Sequence, residues 1–517
     1  MVRPDAYEYY VKENPSGYGN GSSWRDAMGN EDFETYLPLA PDGSTFYVAT
    51  GCYVPSPAGY KINSSVSIVG GFSPNIVYGV VPADPVKYKT VFTGDPSGDD
   101  YIGRNKNLLD NSNDDVILKG DLFSADTNFD IHISGCEFSG IRNEISLACP
   151  IRCGNLYLTN CTFDKTNSIS SVGLNDNKKM VADGCVFKYM KTGSPSGIFE
   201  HDSVYVNNSL FENQQGLNST CFDRSLNVVD IRNSIFNDIE SGASMFSSTK
   251  NVYLYNNLFV GASHTISSVT NFLAVKDTAV VIGNIFKNCD YKNLVNTTDH
   301  TFVKHNLCET ILGTDDDINT ENFADFVVDG VYNETTGTFV PTYSDWGGYV
   351  PTIVTKSDTL PDGRSILFPL KETDVLTDQR GVSRMPMTCM GAYEIGCGSD
   401  TTFVVDSIRY GDKVCGWVFA QIGVHENIME NLKSTDGCDS IVNHTVVVRP
   451  IVRNDYYVKE GGSGSGNGRN WANAMDSTDF AAYLSLAPEG ATFHVAAGTY
   501  KPKYGPGLKK TNDPKEL

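Results

Sequence analysis

The chain has no long apolar run: nowhere in its 517 residues does a stretch reach the roughly 20 residues that a membrane-crossing helix needs. Positive charge is scarce. Against 40 Lys and Arg stand 62 Asp and Glu, a formal charge of −22, so nucleic acid and anionic membrane are excluded as main partners. The 13 cysteines are odd in number and show no paired spacing, so neither a disulfide framework nor a zinc site is expected. Over residues 129–308 helical periodicity is also missing. Asn, Gly, Ser and β-branched residues are dense there, and no run holds a 3.6-residue period over three turns. The opening MVRPDAYEYY has no basic segment leading into an apolar stretch, so no signal peptide is expected there. None of the eight histidines stands near an acid or nucleophile at a catalytic spacing, and the adjacent pair His201-Asp202 reads as a turn.

What the chain does have is a repeat. A short phrase recurs eight times: GCEF, NCTF, GCVF, NSLF, NSIF, NNLF, GNIF and HNLC, ending at Phe138, Phe163, Phe187, Phe211, Phe236, Phe259, Phe286 and Cys308. The steps are 25, 24, 24, 25, 23, 27 and 22 residues, a solenoid period. Alternating apolar segments precede the phrases, for example Ile131 and Ile133, Val204 and Val206, and Val252 and Leu254. Alternation puts one face of each strand on a core and the other on solvent. About 24 residues make three short strands with bends between them, and successive coils stack like on like. The expected fold is all-β, a right-handed parallel β-helix.

Stacking implies columns. The Phe column should bury seven rings in a row, each contributing about 1.5–3 kcal/mol. Two positions earlier the column runs Cys136, Cys161, Cys185, Ser209, Ser234, Asn257, Asn284 and Asn306. Small groups suit a tight bend there, and Asn side chains can bond one coil to the next. The three cysteines read as free interior thiols that fill space.

A second repeat is far larger. Residues 9–55 return at 456–502 with a constant offset of 447. YYVKE recurs, Trp24 becomes Trp471, Phe33 becomes Phe480 and Tyr53 becomes Tyr500. In the first copy, strand Tyr9 to Lys12 precedes a Gly/Asn/Ser loop, and Ser22 or Ser23 is expected to cap a helix starting near Trp24. Trp24, Ala27, Met28, Phe33, Tyr36 and Leu37 fall on one face of it, a plug for the exposed end of the solenoid. The expected organisation is a linker (1–8), a cap with first strands (9–56), the β-helix (57–395), a small β-module (396–450) and a truncated second cap (451–517). On this reading the chain is a piece of a longer exported protein.

FYVATGCYVP (46–55) and SVSIVGGF (65–72) resemble the start of right-handed parallel β-helix, pectin-lyase-like surface proteins of Bacteroidetes-type bacteria; VAAGTY (495–500) matches that pattern too. DQRGVSR (378–384) with GAYE (391–394) resembles the closing motif of the choice-of-anchor Q type. CGSDTTFVVDSIRYGDKVCGW (397–417) with GCDSIVNHTVVV (437–448) resembles a β-module repeated in secreted proteins of the same bacteria. The resemblance implies an extracellular or outer-membrane-surface location and a right-handed coil.

Two function classes remain. A glycan-active lyase or hydrolase, acting on acidic polysaccharide, needs carboxylates at set spacing, or a base helped by calcium, on one exposed face. The acidic clusters are Asp99-Asp100, Asp110 with Asp114-Asp115, and Asp315-Asp316-Asp317, all in turn-rich segments. Solvated loops are the plain reading, with calcium at Asp315, Asp316 and Asp317 as the metal alternative. No residue is assigned a catalytic role and no other cofactor is implied. The second class is a non-catalytic surface adhesin or structural protein. The tandem unit favours it, and Tyr157, Tyr205, Tyr253 and Tyr255 on outward strand positions would stack on sugars of a polysaccharide or cell-surface glycan. The alternative for these tyrosines is ordinary cross-strand packing.

Overall fold

The computed structural model describes residues 8–15, 17–76, 83–99, 101–102, 108–109, 116–143, 151–165, 167–168, 177–192, 201–216, 222–223, 227–247, 249–296, 300–309, 311, 313–319, 327–333, 338–345, 349–395, 400–409, 413–414, 417–418, 423–433, 439–449, 455–487 and 490–500. Two compact units divide the chain, 1–398 and 399–517.

The first unit is a parallel β-helix. Its sheet I stacks eleven strands: Glu8–Val11, Ser44–Ala49, Val66–Phe72, Ile131–Ser134, Asn155–Thr159, Asn177–Asp183, His201–Asn207, Val228–Arg232, Asn251–Tyr255, Thr278–Ile282 and His300–Lys304. Each pairs in parallel with the next, as Leu156↔Met180 and Val204↔Val229 show. Sheet II contains the repeated phrase, from Gly51–Tyr53 and Thr90–Thr93 through Cys136–Ser139 to Leu307–Cys308 and Ile318–Asn319. Shorter strands, among them Tyr60–Ile62, Phe123–Ala125, Phe246–Ser247 and Asn271–Ala274, form the third side.

The Phe column is continuous and longer than the phrase. Rings from Phe138 to Phe286 stack coil on coil at centroid distances of 4.5–5.3 Å. Phe92 extends the column below Phe138 at 5.8 Å, and Tyr53 lies beyond Phe92. The polar column is also continuous. Asn257 donates to Asn284 from backbone and side-chain amide (2.9 and 3.0 Å), and Asn284 donates to Asn306 in the same way. Cys136, Cys161 and Cys185 are free and fully buried, and burial pushes the Cys136 and Cys185 thiols well up, so they stay protonated fillers.

The first residue of each phrase turns the chain between sheets. Gly135, Asn160, Gly184, Asn208, Asn233, Asn256, Gly283 and His305 all have φ between +49° and +72°. That left-handed region admits Gly and Asn most readily, which is why those residues head the phrase. A second such column follows two residues after each Phe: Gly140, Lys165, Tyr189, Asn213, Asp238, Gly261 and Asn288.

The helical cap is present but starts later than the sequence suggests. The α-helix is Asn30–Tyr36, headed by Gly29 with no side-chain cap. Residues near Trp24 are recruited elsewhere: Met28 exchanges backbone bonds with Tyr10 and Lys12 beside the first strand, and the Ser23 hydroxyl accepts from the Asp26 N–H in a turn. The plug itself is made by Phe33, fully buried against Phe46, Tyr60 and Phe92.

Residues 327–395 return along sheet II as a strap. The outward column Val186, Leu210, Ile235, Leu258, Ile285 and Leu307 is apolar and buried beneath Val327, Phe339, Ile353, Ile366, Phe368 and Met390. The closing segment locks the strap onto the bends. Arg384, fully buried, bonds Glu394 (3.1 Å) and the Asn233 side chain (2.8 Å), while Asn256 Nδ2 donates to the Cys389 carbonyl (3.1 Å). Arg380 is held by Asp378 and lies 3.8 Å from the Tyr393 ring centre.

The second unit holds a small sheet, Asp400–Arg409, Asp439–Arg449 and Gly423–Lys433, whose central strand is parallel to the first and antiparallel to the third. It also holds a second cap: strand Asp455–Val458, helix Ser477–Leu486 with Asp476 accepting from Thr478 and Asp479, and strand Thr492–Val495.

Candidate functional site

The outward face of sheet I offers the most regular display of recognition side chains. Strand register aligns Ser67, His132, Tyr157, Val181, Tyr205, Asp230, Tyr253, Val280 and Phe302 in one column. From Tyr157 onward every second coil presents an aromatic ring: Tyr157, Tyr205, Tyr253, Phe302. Two coil spacings separate neighbours, roughly 9.5 Å. The tyrosines are half-buried and Phe302 is 59% exposed.

Neighbours fix the first rings of this column. His132 stacks on Tyr157 with centroids 4.3 Å apart and planes within 5°. Burial lowers the His132 pKa from its ordinary value, with Asp130 opposing, so the ring is neutral at neutral pH. Lys179 places its ammonium 5.6 Å from the Tyr157 ring centre and 5.2 Å from that of Tyr205. Each such cation–π contact is worth about 0.5–1 kcal/mol at an exposed site.

Tyr255 differs from the other three tyrosines. It lies in the next outward column, two residues on, with the Arg232 guanidinium 5.0 Å from its ring centre and its edge packed against the strap cluster. Asp230 in turn holds Arg232 at 2.8 Å. This ring is engaged in packing. Sequence reasoning named Tyr157, Tyr205 and Tyr253 and did not name His132, Lys179 and Phe302; the coil spacing that aligns the tyrosines also aligns His132 and Phe302, while Lys179 lies in the neighbouring column between Asn155 and Ser203.

A second polar surface lies where the strap ends. The outward column of sheet II changes from apolar to polar at Thr162 and Glu137, and a cavity of about 150 Å³ opens there. Lys89 pairs with Glu137 at 3.2 Å across it, and Tyr349 from the strap bonds Thr162 at 3.0 Å. Burial pushes the Tyr349 phenol far up, so it is a neutral hydrogen-bonding group and no base. Asp164, on the next coil and two residues along from Glu137, is raised above 3.8 mainly by desolvation, and its Oδ1 has no donor.

The acidic clusters resolve differently. Asp100, Asp110, Asp114 and Asp115 lie outside the described residues. Asp315 and Asp316 are at an exposed turn, whereas Asp317 turns inward to finish the polar column, accepting from Asn306 N (2.9 Å) and Nδ2 (2.8 Å) and from Thr314 N (2.7 Å). The calcium alternative for Asp315, Asp316 and Asp317 gains no support from the geometry: among the described residues no three His, Cys, Asp or Glu side chains gather as a cation site. The physical reason is register, since pairing Leu307↔Ile318 makes Asp317 the next ladder residue after Asn306. Asp202 of the His201-Asp202 pair accepts from Asn227, one coil on.

No protein-family model matches the sequence, and no curated protein matches it. Among solved structures, a pectate lyase, Pel9A, is similar at 12% identity, over 76% of this chain and 98% of that one, with a TM-score of 0.36. No helix among the described residues is long and apolar enough to cross a membrane.

Proposed function

We propose that this chain is a non-enzymatic, cell-surface or secreted β-helix protein that binds polysaccharide along the outer face of sheet I. The observation that carries the proposal is the aromatic column Tyr157, Tyr205, Tyr253 and Phe302, one ring per two coils. The exposed rim of a half-buried tyrosine can meet a sugar ring and loses little side-chain entropy on binding. The roughly 9.5 Å interval is close to a disaccharide length, so an extended glycan lying along the helix axis meets a ring at every second sugar. His132 and Lys179 hold the first two rings in place before ligand arrives, which lowers the ordering cost of binding.

The test is retention of the chain on immobilised polysaccharides, comparing the parent with Tyr157→Ala/Tyr205→Ala. Loss of at least tenfold in affinity, with an unchanged circular-dichroism spectrum, is the expected outcome. Equal retention of the two proteins on every glycan that binds the parent would end the proposal.

A second reading, a lyase or hydrolase acting on acidic polysaccharide, is favoured by one observation: Glu137 and Lys89 line the cavity at the polar end of sheet II, with Asp164 on the next coil. Appearance of unsaturated products or new reducing ends, lost in Glu137→Gln, would establish it in place of the first.

A further inference from the structure

The two caps share sequence but not burial. In each, inward residues of the first strand and those of the segment beside it are buried: Tyr9, Val11, Ala27 and Met28 in the first copy, Tyr456, Val458, Ala474 and Met475 in the second. Residues that face the next coil diverge. Trp24 is 2% exposed and Trp471 47%; Val48 is 0% exposed and Val495 46%. Phe33, Phe46 and Tyr53 are fully buried, whereas Phe480, Phe493 and Tyr500 are half-open.

The first copy shows what closes that surface. Strand Val66–Phe72 pairs in parallel with Ser44–Ala49, Phe46↔Ile68 in register. Phe72 packs on Trp24 at 5.2 Å, Tyr60 covers Phe33 at 5.3 Å, and Phe92 covers Tyr53 at 5.5 Å. In the second copy strand Thr492–Val495 has Asp455–Val458 as its one partner among the described residues. Its other edge presents backbone N–H and C=O groups in a four-residue strand that holds no Lys, Asp, Glu or Pro to block pairing.

We infer that the second cap is a docking template for one more β-helix coil. Its occupant is a parallel strand and bend of the chemistry of residues 60–72 and 90–93: an alternating Val/Ile strand along Thr492–Val495, one aromatic ring on Trp471 and others on Phe480 and Tyr500. Register is set by the backbone edge, and selection comes from the aromatic sockets, since a strand without rings in those places leaves Trp471 and Phe480 in water.

Two measurements test it. First, residues 54–96 are grafted after Tyr500 in place of 501–517, and amide hydrogen exchange of Thr492–Val495 is compared with the parent. At least hundredfold slower exchange is expected, abolished when the grafted residue equivalent to Ile68 is Asp. Second, Val495→Asp in the parent chain is expected to leave the melting temperature unchanged, because the Val495 side chain is exposed, while Val48→Asp, at a buried position, lowers it. Unslowed exchange in a graft whose first unit melts normally would overturn the inference. So would a lowered melting temperature for Val495→Asp, or concentration-dependent protection of the parent strand, which would make a second copy of the chain the occupant.

Discussion

Asp317 Oδ1 accepts two hydrogen bonds from one residue, the backbone N–H of Asn306 at 2.9 Å and its side-chain amide at 2.8 Å. The same two-donor contact joins Asn306 to Asn284 and Asn284 to Asn257. From there Ser234 N donates to Asn257, Ser209 N to Ser234 and Cys185 N to Ser209, so one continuous chain of bonds runs from Asp317 to Cys185. The aspartate is the terminal acceptor of a buried column.

Asp317→Ala is therefore expected to destabilise the first unit by about 1–3 kcal/mol, because the buried Asn306 N–H loses its acceptor, while the Asn306 side-chain amide keeps the Val281 and Lys304 carbonyls. Asp317→Asn retains an amide oxygen at the same place and should cost less than about 1 kcal/mol. Urea unfolding midpoints decide the matter. A calcium ligand would behave oppositely, since the Asn variant would then lose a calcium-dependent part of its stability.

The Arg384–Glu394 pair is fully buried and anchors the strap to the bend at Asn233. Desolvation lowers the arginine and raises the glutamate, while each partner's charge opposes that shift. Breaking such a pair from one side leaves a buried charge uncompensated. Glu394→Ala is expected to cost about 3–5 kcal/mol, and Arg384→Met/Glu394→Leu distinctly less than Glu394→Ala alone. Denaturation of the three proteins, side by side, reads the difference. A double variant no more stable than the single would show that geometry at Asn233, and not charge, is what the pair supplies.

Asp164 sets a pH dependence of definite sign. Its folded pKa lies above 3.8, chiefly through burial, so the folded chain holds that proton more tightly than the unfolded chain. Its effect on stability is most favourable below pH 3.8 and turns unfavourable as pH rises through the folded value. Asp164→Asn should raise the urea midpoint at pH 7 relative to the parent, with the gain shrinking to nothing below pH 3.8. A variant less stable than the parent at pH 7 would mean that the charged form is stabilised by Lys165 and Lys188 beyond its desolvation.

The coil was legible because its columns are chemically pure. A Phe every 23–27 residues and a Cys, Ser or Asn two places before it leave little choice of register. The strap over 327–395 was equally present and went unread. From Val186 onward the residue before each phrase-ending residue is apolar (Val186, Leu210, Ile235, Leu258, Ile285, Leu307), whereas in the first two phrases it is Glu137 and Thr162. Two neighbouring apolar residues in one strand point to opposite faces, so the outer face of six coils required a cover and the first two did not. The second left-handed column could not be read this way. It includes Lys165 and Tyr189, residues that give no sign of a positive φ. Of the outer face of sheet I, the tyrosines stood out by type, while His132, Lys179 and Phe302 gain meaning only from register.

Asn256 separates backbone strain from hydrogen bonding at a bend. Its φ is +54°, its amide donates to the Cys389 carbonyl at 3.1 Å, and its carbonyl oxygen accepts from the Thr373 hydroxyl at 2.7 Å. Asn256→Gly keeps the conformation at ease and deletes both bonds to the strap, a loss of about 2 kcal/mol. Asn256→Ala deletes the same bonds and adds the cost of a Cβ in the left-handed region, about 1–2 kcal/mol more. The expected order of stability is parent, Gly, Ala, with the strap of the Gly variant exchanging amide hydrogens faster than its coils. If Gly matched the parent and Ala alone fell, the bend would be a matter of backbone geometry and the strap would be held by its apolar underside. If Gly and Ala fell equally, the contacts to Thr373 and Cys389 would be the reason that Asn stands at this turn where Gly stands at Gly283.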